Sequence, residues 1–162
     1  MDKVRVERSV LVVDDDVFVL SALAELLSEH GFDVHTASNG FSASRVAHET
    51  RPSVILLDIK LPERSGGDLL GELREEPGTR DSAIVVVSAN TDLLSEADLA
   101  QVDAVVTKPF DIDELMSVVN RELQHAAARR TEVAPVTAPS HWAPTSPRTR
   151  RPATPRHTRG RR

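Results

Sequence analysis

Short apolar, mostly β-branched runs alternate with helical spacings five times between Val10 and Leu123. Val10-Leu11-Val12-Val13 reads as a strand that stops at Asp14-Asp15-Asp16, after which Val17, Leu20, Leu23, Ala24 and Leu27 recur at the spacing of one helix face. Gly31 stands where a helix ends in the left-handed conformation. Phe32–Thr36 predicts a second strand, and Asn39-Gly40 turns into a helix around Ser42–Glu49. Pro52 introduces a strand over Ser53–Leu57, and Ala83–Val87 repeats that run after a helix over Gly67–Glu75 and a break at Pro77-Gly78. A helix around Asp92–Ala100 and a fifth strand, Ala104–Thr107, follow. Asp111 and Glu114 then stand at capping-box spacing before a last helix, whose stripe is Leu115, Val118, Val119 and Leu123. Strands alternating with helices in this way predict a doubly wound α/β fold with a parallel sheet covered on both faces.

The polar residues that interrupt this pattern fall at strand ends. Strand one runs into Asp14, Asp15 and Asp16, strand three into Asp58, strand four into Ser88 and strand five into Thr107-Lys108-Pro109. In an open parallel sheet those ends share one edge, where ligands bind. Two carboxylates about 5 Å apart repel by roughly 3 kcal/mol at an effective dielectric of about 20. A converging group of them therefore calls for a divalent cation, and an all-oxygen, partly open site suits Mg²⁺. A single strand-end Asp is ordinarily a cap or turn residue. Asp14, Asp15, Asp58, Ser88 and Lys108 together point instead to a phosphoryl or metal site, with Lys108 turned inward as a point charge.

Charge divides the chain in two. Residues 129–162 hold nine arginines and one acid, Glu132, a net +8; residues 1–128 carry −13, within the chain's total of −5. The later stretch contains Pro135, Pro139, Pro144, Pro147, Pro152 and Pro155, and little besides Trp142 to bury. Such a segment cannot offset the entropy of ordering and is expected to be extended and disordered. The expected division is an N-terminal extension at 1–7, a folded domain at 8–126 and a basic Pro/Arg/Thr-rich tail at 127–162. The chain has no cysteine, which excludes disulfides and thiolate metal sites. Its longest apolar runs are strand-sized, and its start lacks the apolar stretch of a signal peptide, so no membrane span and a cytoplasmic location are expected. The histidines, at 30, 35, 48, 125, 141 and 157, share no metal spacing.

The segments Val10–Asp16, Val54-Ile55-Leu56-Leu57-Asp58-Ile59-Lys60-Leu61-Pro62-Glu63-Arg64-Ser65-Gly66, Val85-Val86-Val87-Ser88-Ala89 and Thr107-Lys108-Pro109-Phe110 resemble the response-regulator receiver family over roughly residues 8–125. The resemblance implies a flavodoxin-like (βα)5 domain with strand order 2-1-3-4-5. It makes Asp58 the acceptor of a phosphoryl group from a sensor histidine kinase or histidine phosphotransfer protein, a signalling switch that promotes only its own phosphorylation and dephosphorylation. Asp15, Asp58 and the backbone carbonyl of Lys60 would hold Mg²⁺, with Asp14 acting mainly through water. Lys108, the Ser88 hydroxyl and the Ala89 N–H would hold the phosphoryl oxygens, and Lys108–Pro109 resembles the family's cis peptide.

Three departures from the family pattern stand out. Val105 occupies a position that receivers commonly fill with Tyr or Phe, so a swinging ring is missing. The stretch from Ser88 to Lys108 is about two residues short, with Gln101-Val102-Asp103 where a Gly is usual, and implies a short or displaced fourth helix. Lys60 and Asn90 take positions that flank the phosphoryl group in the family. The downstream partner is expected to be a protein. The alternative is a nucleic-acid- or membrane-associated protein whose tail, 129–162, does the binding under receiver control. A hydrolase of the aspartyl-phosphate type would need its nucleophile on the first strand and a cap domain, for which there is no room.

Overall fold

Every apolar run becomes a strand of one sheet. The computed structural model describes residues 7–132 and orders them as β1 (Ser9–Val13), α1 (Val17–Glu29), β2 (Asp33–Ala37), α2 (Gly40–Thr50), β3 (Val54–Leu57), α3 (Gly66–Glu75), β4 (Ala83–Ser88), α4 (Glu96–Leu99), β5 (Ala104–Thr107) and α5 (Ile112–Glu132). The strands are parallel in the order β2-β1-β3-β4-β5. The expectations for residues 1–6 and for the chain from 133 onward, including Trp142 and the arginines of 148–162, lie outside the described residues.

Side-chain alternation splits the core into two layers. Val10, Val12, Val54, Leu56, Val85, Val87 and Val106 pack with Leu20, Leu23 and Leu27 of α1 and Leu115, Val119 and Leu123 of α5. Leu11, Val13, Ile55, Leu57, Ile84 and Val86 pack on the other face with Ala43 and Ala47 of α2 and Leu69, Leu70 and Leu73 of α3. A buried side chain of this size contributes about 1.5–3 kcal/mol, so β1, β3 and β4, buried on both faces, form a stiff frame. The edge near α4 is thinner. α4 has four residues and buries none of them, and Val105 of β5 is 40% exposed.

The boundaries depart from the sequence reading in particular places. The fourth helical segment splits into a 3-10 turn at Thr91–Leu93 and the short α4, whose start carries a capping box between Ser95 and Asp98. Asp111 accepts from the Asp113 amide at 2.7 Å, one residue short of the box expected with Glu114. The largest correction concerns the domain end. α5 does not stop at residue 126 but continues to Glu132. Ala126-Ala127-Ala128 has the highest helix propensity available. Arg129 then reaches Asp103 at 2.8 Å, and Arg130 donates to Ser53 Oγ at 3.1 Å and to the Pro52 carbonyl at 3.0 Å. Among the described residues no helix is long and apolar enough to cross a membrane.

Candidate functional site

The register of the central strands decides which side chains meet. Val13 pairs with Leu57, so Asp14 and Asp58 leave adjacent strands at the same level, and the Asp58 N–H still bonds the Val13 carbonyl at 2.9 Å. Ser88 pairs with Thr107, and the Lys108 N–H continues that ladder to the Ser88 carbonyl at 2.9 Å. Asp14, Asp58 and Lys108 each follow by two a residue of the α1/α5 layer (Val12, Leu56 and Val106), so they share the same parity. That parity is why they converge.

Lys108 Nζ donates to Asp14 Oδ2 at 2.6 Å and to Asp58 Oδ2 at 3.1 Å. The second oxygen of each carboxylate is held locally: Asp14 Oδ1 accepts from the Asp16 N–H at 2.9 Å, and Asp58 Oδ1 from the Lys60 N–H at 3.1 Å. Asp14 and Asp58 are buried and Asp15 is exposed, yet one carboxylate oxygen from each of the three lies within 4.8 Å of the others. Asp16 belongs elsewhere. Its carboxylate caps α1, accepting from Phe18 and Val19. Burial works to lower the pKa of the Lys108 ammonium, but the hydrogen bonds to Asp14 and then Asp58, with the charge of both carboxylates, outweigh it and hold it above the ordinary lysine value. Lys108 therefore stays a cation at neutral pH.

One ammonium against three carboxylates leaves the cluster with a net −2. This donor set fits Mg²⁺, since every donor is a carboxylate oxygen and Asp15 stands on the exposed side, which leaves the site partly open. Asp14, Asp15 and Asp58 would hold the ion. Among the described residues this is the one group of three acids or histidines placed for a metal. His48 and His125 instead pair singly with Glu76 and Glu122, each at 3.0 Å.

Of the remaining expected residues, Lys60 touches this centre through its backbone N–H, and Ser88 and Ala89 lie around it. Ser88 is buried, and its hydroxyl bonds only within its own turn, to the backbone of Asn90 at 3.3 Å. Its parity along the sheet is opposite to that of Lys108. Ala89 follows on the exposed surface, and the Lys60 side chain is exposed beside Asp58. The Lys108–Pro109 peptide is cis.

A second polar cluster, at the opposite end of the sheet, had no counterpart in the sequence reading. Arg74 of α3 donates to the carbonyls of Arg80, Ser82 and Gln101 and to Asp103 Oδ2 at 2.9 Å. Asp103 also accepts from the Ile84 N–H at 2.8 Å and from Arg129. Just before β5, where a Gly is usual in the family, this chain places a carboxylate that ties α3, β4 and α5 together. No local sequence signal reveals it, because its partners are 29 and 26 residues from Asp103.

Comparison with known proteins agrees with this geometry. The family model described as "Response regulator receiver domain" matches residues 10–120. The transcriptional regulatory protein KdpE of Mycobacterium tuberculosis is 40% identical over 132 residues, 80% of this chain and 55% of that protein. The regulatory protein AtoC of Escherichia coli is 34% identical over 115 residues, 71% of this chain and 25% of that protein. The chain thus spans about half the length of the first relative and a quarter of the second. Among solved structures, the receiver domain of a sensor histidine kinase from Pseudomonas aeruginosa, which has a magnesium ion coordinated in its active site cleft, superposes with a TM-score of 0.65 at 26% identity, covering 72% of this chain and 98% of that one. A CheY-like receiver domain protein from Methanospirillum hungatei shares the fold, with a TM-score of 0.67 at 21% identity over 75% of this chain and 97% of that one. With five parallel strands in this order and an acidic cluster that shares Lys108 at their carboxyl ends, the chain belongs to the response regulator receiver domain family.

Proposed function

We propose that Asp58 takes a phosphoryl group from a phosphohistidine of a sensor kinase or phosphotransfer protein, in a reaction that requires Mg²⁺. The observation that carries this reading is the Lys108 ammonium shared between Asp14 and Asp58, beside carboxylate oxygens of Asp14, Asp15 and Asp58 that lie within 4.8 Å of one another. A carboxylate oxygen of Asp58 attacks phosphorus, the P–N bond breaks, and its electron pair stays on the departing imidazole, which takes up a proton. Bound Mg²⁺, held by Asp14, Asp15, Asp58 and the Lys60 carbonyl, would supply the positive charge that lets two anions approach. Lys108 neutralises charge on the phosphoryl oxygens, and the Ser88 hydroxyl, turned from Asn90, and the Ala89 N–H donate to them. Phosphoryl transfer asks for this positioning and charge balance more than for new covalent machinery.

The added charge at Asp58 changes contacts with a downstream protein. Val105 has no ring to swing inward, so the response runs through the segment between Ser88 and Ala104, in which α4 buries no side chain. A second reading rests on composition: residues 148–162 carry seven arginines, and the relatives above are regulatory proteins. Binding of nucleic acid by that stretch would fall steeply with salt and vanish when residues 133–162 are removed.

The test is intact mass after incubation with acetyl phosphate and Mg²⁺. One phosphoryl group on the wild type, labile to hydroxylamine and missing from Asp58→Asn, is expected. A folded wild type that binds Mg²⁺ and acquires no phosphoryl group overturns the proposal.

A further inference from the structure

The residues from Asp58 to Gly66 form the loop on which the phosphoacceptor, the Lys60 amide and the Lys60 carbonyl all sit. Both ends of this loop are fixed. At the first, the Asp58 N–H is bonded to β1. At the second, Gly66 lies so close to the chain that a Cβ there would come 2.8 Å from Ile59 Cα. Between them the backbone bends through Glu63, whose φ of 67° is left-handed and places Arg64 against the neighbouring helices.

Ile59 anchors the start of this loop in the α2/α3 core, and Arg64 ties its bend to the body of the domain. Its side chain is 19% exposed, far less than expected for an arginine on a loop. Nη1 donates to Ser44 Oγ on α2 at 3.1 Å, and Nη2 donates to Glu72 on α3. Its guanidinium carbon lies 5.9 Å from the centre of the Phe41 ring, at the outer limit of a cation–π contact. Its stem runs over Gly40, where a Cβ would meet Arg64 Cδ at 2.9 Å. The small residue at the start of α2 is thus the space in which Arg64 lies. Within the loop, Leu61 adds partial burial against the α2/α3 layer and Ser65 caps α3. Neither reaches across to α2 as a fork of hydrogen bonds does.

We infer that Arg64 is a positioning residue for the metal and phosphoacceptor site, and that Gly40, Ser44 and Glu72 form its seat. It acts at a distance. By fixing the bend after Lys60, it fixes where the Lys60 carbonyl and amide stand relative to Asp58. A loop free to sample other bends would have to be ordered each time the ion binds, and that entropy would be subtracted from the affinity. The planar fork, engaged on two helices at once, is what a lysine cannot reproduce. This inference rests on the proposal that the Lys60 carbonyl and Asp58 hold Mg²⁺.

The test is calorimetric titration of MgCl₂ into the full chain without any phosphodonor, beside urea unfolding of each variant. Arg64→Ala is expected to raise the Mg²⁺ dissociation constant about threefold to tenfold, less than the full range for loss of a group bonded directly to a ligand. Arg64→Lys should recover only part of this. Gly40→Ala leaves every charge in place and pushes on the arginine stem from below, so it should weaken Mg²⁺ in the same direction. It also carries the test if Arg64→Ala does not fold. Asp103→Ala, at the other end of the sheet, serves as the control: it loses stability but keeps its Mg²⁺ affinity. Wild-type binding with unchanged affinity in Gly40→Ala and in a folded Arg64→Ala overturns the role of Arg64 and leaves the site intact. A wild type with no saturable Mg²⁺ binding overturns the site itself, and the role of Arg64 with it.

Discussion

The two ends of the sheet carry polar clusters of similar burial and opposite character. At the carboxyl ends, Lys108 (22% exposed) meets Asp14 (4%) and Asp58 (11%), with Asp15 beside them. At the amino ends, Arg74 (18%) meets Asp103 (19%), with Arg129 on the other oxygen. Desolvation costs are therefore comparable, and what differs is the stoichiometry. The amino-end cluster is closed. Arg74 spends its donors on three carbonyls and a carboxylate, and Asp103 takes two guanidiniums and a backbone N–H. The carboxyl-end cluster is open. Three carboxylates share one ammonium, and the surplus negative charge faces solvent through Asp15. A closed cluster holds a fold together, whereas an open one of this sign waits for a cation. Burial and ion pairing by themselves do not tell a site from a strut; the sign of the uncompensated charge does, +1 at the amino ends and −2 at the carboxyl ends.

Substitutions that break one cluster and then the other should separate these roles. The largest effect is expected for Asp103→Ala, which removes an acceptor from two guanidiniums and from the Ile84 N–H; it should cost about 3 kcal/mol in urea unfolding, unchanged by Mg²⁺. Lys108→Ala should cost somewhat less without metal, about 2 kcal/mol, because Asp15 and the open side let water relieve the stranded carboxylates. Part of that loss should return when Mg²⁺ is added, which the amino-end variant cannot show. If Mg²⁺ leaves Lys108→Ala unmoved, the open cluster is not a cation site.

Smaller changes sharpen the contrast. Asp15→Asn removes an exposed surplus charge, so metal-free stability should rise by about 0.5–1 kcal/mol while Mg²⁺ affinity falls. A rise in stability with unchanged affinity would show that Asp15 is no ligand. Lys60→Ala leaves both clusters standing and should alter only the lifetime of the aspartyl phosphate, followed by loss of the phosphoryl mass with time. The smallest effect belongs to Glu72, whose carboxyl is held below the usual carboxylate range first by the Arg64 hydrogen bond and then by Ser44. A carboxylate with a lowered folded pKa contributes above its unfolded value, about 4.3, and loses that contribution as pH falls through the folded value. Being 45% exposed, it should contribute only a few tenths of a kcal/mol. Glu72→Gln should therefore flatten the acid limb of the stability curve slightly and leave neutral pH almost unchanged.

The legible and illegible parts of this molecule divide along the same line. β1, β3 and β4 could be read from apolar runs because burial on both faces forces an unbroken run, β2 and β5 from their β-branched residues and place in the alternation, and all five shifted by no more than a residue or so. The fourth helix is short, as the reduced spacing from Ser88 to Lys108 implied, but its bounds are narrower than the periodic pattern over Asp92–Ala100. Once the segment is short, a 3-10 turn and a single capped turn satisfy the backbone equally well. The end of α5 was misplaced because the change in charge near residue 128 looked like a domain boundary. Arg129 and Arg130 in fact belong to the helix and are held by Asp103, Ser53 and Pro52.

By itself, the sequence determined the fold class, the strand-end positions of Asp14, Asp15, Asp58, Ser88 and Lys108, and the surplus of acid among them. These follow from local rules, since a buried parallel strand must be apolar and its first polar residue must lie at its end. Only the tertiary structure decided which of those residues touch. Register and parity bring Lys108 to Asp14 and Asp58, turn Ser88 toward its own turn and give Asp16 to a helix cap. It alone also revealed the seat of Arg64 and the network of Asp103. Those contacts join residues 8 to 29 positions apart, and no periodicity in a chain records which distant side chains will share one enclosed space.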